Sequence, residues 1–132
     1  MPFAQIVRFF FQVASRMSRE DRITFSDQVY MRLPDVEITL VSLGMEIQTT
    51  RLSIDDAKEI FKSIKSACDM HEIKEIKVGE LYWKTDGRLQ SADEDRMVIE
   101  FGEPLGFARH VVNRQDVSSA VIEFTKRFGL SQ

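Results

Sequence analysis

RMVIEFGEPLGFARHVVNRQDVSSAVIEFTKRF, residues 96–128, carries the pattern that decides the fold. From Arg96 to Gly102 apolar and polar residues alternate, with Met97, Ile99 and Phe101 on one side, the period of a strand with one wet face. Gly102-Glu-Pro-Leu-Gly106 turns the chain into a second strand ending near Val112. Asn113 to Asp116 has the composition of a helix cap, and Val117, Ala120, Val121, Phe124 and Phe128 then recur at helical spacing.

The segment from Ile38 to Ala67 runs the same way. It reads as a strand from Val36 to Leu43, Gly44, a strand from Met45 to Arg51, a cap at Ser53, and a helix striped by Ile54, Ala57, Ile60, Phe61, Ile64 and Cys68. The two segments form a pseudo-repeat of topology with little residue identity. Before the first of them, Ile23, Phe25, Val29, Met31 and Leu33 alternate with Thr24, Ser26, Gln28, Tyr30 and Arg32. That pattern reads as one strand, interrupted at Ser26-Asp27-Gln28 by a bulge or short turn. Glu75 to Lys84 is β-rich with an irregularity at Gly79, Asp86-Gly87 has the form of a two-residue hairpin, and Gln90 to Asp95 is a polar loop.

The opening stretch MPFAQIVRFFFQVASRM, residues 1–17, carries more apolar surface as a helix than one contact consumes, with apolar residues over an arc of roughly 220°. The fold expected is α+β: a mostly antiparallel sheet of about six strands with an N-terminal, a central and a C-terminal helix, in the order α-βββ-α-βββ(β)-α. Residues 1–132 are expected to form a single domain.

Composition narrows the function classes. A net charge of −3 disfavours nucleic acid as partner, although the charge is uneven: +2 over residues 1–34, −6 over 35–95 and +1 over 96–132. Any anion-binding face would draw on the two ends. One cysteine, Cys68, excludes an internal disulfide and fits a reducing compartment, and no apolar run approaches the roughly 20 residues of a membrane span. The expected location is cytoplasmic. The first nineteen residues, with three arginines and no acid, also have the composition of a mitochondrial presequence.

No catalytic signature is present: the chain has no P-loop, no His-Glu-x-x-His and no Gly-x-Ser-x-Gly. Cys68-Asp-Met-His71 sets a thiol and an imidazole three apart, but Cys68 continues an apolar stripe and reads as a buried thiol. Asp55, Asp56 and the cluster Asp93-Glu94-Asp95 lack the spacing of a calcium loop and read as capping and solvated charge. No metal, cofactor or catalytic residue is therefore expected.

Two surfaces remain as candidates. The flank of the opening helix, Ile6, Phe9, Phe11 and Val13, would dock another protein or a second copy of the chain, and contact with a membrane surface is the weaker use of the same flank. Tyr30, Arg32, Trp83 and Arg109 would form an alternative ligand face, where aromatic and basic side chains on an open sheet stack bases and follow a phosphate backbone. Tyr82 and Trp83 are consecutive, so only one of them can belong to it.

In layout the chain is similar to the small acidic dimeric chaperones of bacterial type III secretion, which implies a homodimer that holds a partner protein. Its repeated unit of strands followed by a helix is also similar to single-strand-binding sheet proteins. The function expected is a non-enzymatic protein-interaction or assembly subunit, with single-stranded nucleic-acid binding as the alternative.

Overall fold

Two runs of four strands, each closed by a helix, make up the described chain. In this computed structural model the described residues are 21–33, 37–43, 47–104 and 106–130. The first unit is β1 (Arg22–Ser26), β2 (Val29–Arg32), β3 (Glu37–Leu43), β4 (Ile47–Ser53) and α1 (Ile54–Met70). The second is β5 (Ile73–Val78), β6 (Leu81–Asp86), β7 (Arg96–Glu103), β8 (Gly106–Asn113) and α2 (Arg114–Phe128). Each set of strands is an antiparallel meander in chain order, so there are two four-stranded sheets rather than one of about six strands. The repeat seen in two segments extends to a whole ββββα unit. The expected N-terminal helix lies outside the described residues.

Two turns account for the difference in strand number. Residues 22–33 are a hairpin, not one strand: Ser26 Oγ accepts hydrogen bonds from the backbone N–H groups of Gln28 and Val29, both at 3.2 Å, and closes the turn at Asp27 and Gln28. The second hairpin lies at Gly79, whose φ of 59° suits glycine, and separates β5 from β6. Asp86-Gly87 is not a hairpin. Gly87 is needed there for a close approach, because a Cβ on it would stand 2.1 Å from the carbonyl oxygen of Ala67 at the end of α1.

The polar stretch after Asp86 is pinned by one side chain. Arg114, the first residue of α2, donates to the carbonyl oxygens of Gly87, Arg88, Glu94 and Arg96 at 2.9–3.3 Å. A nine-residue connection from Gly87 to Asp95 is thereby held against the start of the helix that follows it in the fold. Both helices start as the sequence indicates: Ser53 Oγ caps α1 at Asp56 N, and Asn113 Oδ1 caps α2 at Gln115 N and Asp116 N. α1 ends on His71 in the left-handed conformation, with its N–H bonded to the carbonyl of Ala67.

One hydrophobic cluster draws on both sheets and both helices. Within it aromatic rings touch in an unbroken run, Phe128 to Phe124, Phe61, Phe25, Trp83, Phe101 and His110, with centroids 4.1–5.8 Å apart. The run crosses from α2 through α1 and β1 into the second sheet, so the two units are packed through aromatic contacts. Its end is polar. His110 Nε2 lies 2.7 Å from Ser42 Oγ on β3, a buried hydrogen bond joining the two sheets.

Burial holds the His110 imidazole below its ordinary pKa. The unfolded chain then takes up this proton at a higher pH than the folded protein does. The stability is present above the unfolded value, about 6.5, and falls as pH drops through it toward the lower folded value. Urea midpoints are expected to decline between pH 7 and 5, and His110→Gln is expected to flatten that decline. Equal slopes for the two proteins would remove His110 from the account. The Asp86 carboxyl, held low by its hydrogen bonds from Arg88, contributes in the same direction but only in the more acidic range of carboxylates.

Candidate functional site

The outer faces of the two sheets differ in how their charges are arranged. Across the second sheet, one register row reads Glu75, Lys84, Glu100, Arg109, alternating in sign from strand to strand. Neighbours pair: Lys84 Nζ lies 3.9 Å and Arg109 Nε 3.6 Å from Glu100 carboxylate oxygens. Across the first sheet a row reads Arg22, Arg32, Thr39, Arg51. Three of its four positions are arginine. Position 37 of β3, a glutamate, falls on this face by register, one row away.

Arg22 and Arg32 are direct cross-strand partners, an arrangement that repels unless something negative is added. Both guanidinium groups lie near Tyr30, Arg22 at 4.4 Å and Arg32 at 6.0 Å from the ring centroid. Neither forms an ion pair among the described residues. Arg88, Arg96, Arg109 and Arg127 each pair with a carboxylate, and Arg114 is taken up by backbone carbonyls. Arg22 Nε is moreover buried with no hydrogen-bond partner, the kind of orphaned donor that native structures seldom keep. Two arginines over one ring, neither in an ion pair among the described residues, can donate hydrogen bonds to anionic oxygen.

Of the residues expected to form a ligand face, Tyr30 and Arg32 come together and the other two do not. Trp83 is fully buried in the core, stacked on Phe101 at 5.0 Å, with its indole N–H donating to Thr85 Oγ1 at 2.9 Å. It belongs to the core because Leu81, Trp83 and Thr85 share the inner phase of β6. Tyr82 shares the outer phase with Lys84 and Asp86, and those two polar residues were the signal in the sequence. Arg109 lies on the other sheet and is paired with Glu100.

Arg22 is the residue that sequence reasoning missed. In one continuous strand, ten residues separate Arg22 from Arg32 by roughly 33 Å. The hairpin at Asp27 sets them opposite each other. Tyr30 is itself only 8% exposed, so the accessible planar groups of this face are the guanidiniums above it and not the ring.

The other candidates resolve simply. Ile6, Phe9, Phe11 and Val13 lie outside the described residues. Burial pushes the Cys68 thiol above its ordinary pKa, and its Sγ faces Met97 Sδ at 3.9 Å, while His71 is exposed at the helix end. The thiol is thus neither activated nor paired with the imidazole. Asp93 pairs with Arg96, and Asp56 lies at the capped start of α1. Among the described residues there is no group of three or more His, Cys, Asp or Glu side chains placed to hold a metal, and no helix long and apolar enough to cross a membrane. An open cleft of 510 Å³ between β1, β8 and the start of α2 is lined by Thr24, Asp27, Arg96 and Asp116. Its charges are of mixed sign, and Arg96 is already engaged by Asp93.

Set against known proteins, the chain matches no family model, and no curated protein or solved structure is significantly similar to it.

Proposed function

We propose that this protein binds single-stranded nucleic acid across the outer face of its first sheet. The observation that carries the reading is the cross-strand couple Arg22 and Arg32 over Tyr30, neither of which forms an ion pair among the described residues. Arg22 and Arg32 stand on neighbouring strands about 4.8 Å apart, so a polyanion laid across the strands meets both. Guanidinium planes beside an aromatic ring also offer a surface on which unstacked bases stack.

The acidic balance of the whole chain weighs less than it first suggests. At 0.1 M salt, exposed charges beyond about 10 Å are largely screened, so the local row sets the potential a ligand meets. The repeated strands-then-helix layout, now a full ββββα unit twice over, is also in keeping with the likeness to single-strand-binding sheet proteins. Docking of another protein through Ile6, Phe9, Phe11 and Val13 rests on residues outside those described.

The test is fluorescence anisotropy with a labelled single-stranded RNA or DNA oligonucleotide, titrated over a range of salt. Two phosphate contacts, from Arg22 and Arg32 alone, give an expected slope of log K against log salt of about −1.4 or steeper. Absence of binding at low salt, a slope near zero, or equal competition by polyglutamate would overturn the reading.

A further inference from the structure

The second sheet presents the opposite kind of surface. Its outer face carries Phe107, Val111 and Ile73, exposed at 59%, 50% and 37%, beside the alternating charged row. Phe107 meets Tyr82 edge-on at 5.5 Å, although their strands are not neighbours. Gly102 lies between them in register, and with no side chain there the two rings close over it. A Cβ on Gly102 would stand 1.9 Å from the carbonyl oxygen of Gly106.

We propose that this face binds a second copy of the chain, the two sheets packing face to face about a two-fold axis that runs along the strands between β6 and β7. Such an axis lays each register row on itself in reverse order. The row Glu75, Lys84, Glu100, Arg109 then meets Arg109, Glu100, Lys84, Glu75, so every acid faces a base. The neighbouring rows set Asp86 over Val98 and Tyr82 over Gly102 of the second copy, and match at their edges. Ile73 meets Val111 of the second copy, and Lys77 meets the exposed Phe107 ring, a cation over an aromatic face.

A polyanion has no comparable fit on this sheet, since each lysine and arginine of the charged row already has a glutamate beside it. With four strands about 4.8 Å apart and six residues at about 3.3 Å each, the flat area is roughly 400 Å² per copy. Stable interfaces bury about 800 Å² per partner, so a reversible, concentration-dependent dimer is expected. The arginine row of the first sheet takes no part in it.

Sedimentation of the full chain over a wide concentration range tests this. Wild type is expected to shift from monomer to dimer. Arg109→Glu sets glutamate against Glu75 of the second copy, Glu75→Arg sets arginine against Arg109, and each alone is expected to weaken association at least tenfold. An equimolar mixture of the two variants restores a Glu–Arg pair at both positions and is expected to dimerise again. Within one chain Glu75 and Arg109 stand at opposite edges of the sheet, so rescue in the mixture reports a contact between copies. Emission from the buried Trp83 checks that each variant is folded. A wild type that stays monomeric, variants that associate like wild type, or a mixture that fails to recover would each overturn the proposal. Oligonucleotide binding by the monomeric variants, measured separately, distinguishes its failure from failure of the nucleic-acid reading.

Discussion

Phe61→Ala is expected to cost about 4 kcal/mol of folding stability, a loss in keeping with truncation of a phenylalanine in a closed core. Phe61 is fully buried on α1, 4.1 Å from the Phe124 ring and 5.7 Å from the Phe25 ring. It therefore stands between a ring of the second unit's helix and a ring of the first sheet. Removing it leaves a cavity between elements from both repeats and breaks two aromatic contacts, each worth about 1 kcal/mol beyond area burial. Tm is expected to fall by about 15 °C, followed by emission from the single tryptophan, Trp83, which the same core encloses. Ile122→Ala, on the exposed side of α2, should change stability by less than about 0.5 kcal/mol. Similar losses for both variants would show that the aromatic run does not hold the units together.

The Arg22→Ala, Arg32→Ala double variant is expected to weaken single-strand binding by about 25-fold at 0.1 M salt. Each phosphate contact to a single strand adds about 0.7 to the salt slope, which is about fivefold per contact at 0.1 M relative to 1 M. The slope itself should become shallower by about 1.4. Stability should stay level or rise, because the substitution removes a like-charged cross-strand pair and a buried donor with no partner. A functional residue held at a cost to the fold behaves in this way. Substitution of both arginines by lysine should keep the salt slope and lose the part of the affinity that comes from planar stacking. Should the alanine variant bind as wild type does, the first sheet is not the site.

Much of the secondary structure was legible in the chain. Alternation from Arg96 to Gly102, the caps at Ser53 and Asn113 and the two helical stripes are local features, and local chemistry decides them. The same holds for the polar loop before Arg96 and for the repeat, although only the second half of each repeating unit stands out in the chain. The hairpin at Asp27 was harder to read, because a turn of two polar residues leaves the alternation on either side nearly in phase. Gly87 misled for a different reason. A glycine required by a neighbouring helix resembles one required by a tight turn, and the chain alone does not show what approaches it.

By itself, then, the sequence determined the element types, the inward stripes and the helix starts, since periodicity and capping act over a few residues. Only the tertiary structure decided that the eight described strands divide into two sheets, that Trp83 belongs to the core, and that Arg22 stands beside Arg32. Those outcomes depend on register between strands. Register follows from which turns close and which apolar faces meet, and both are settled by the whole chain together.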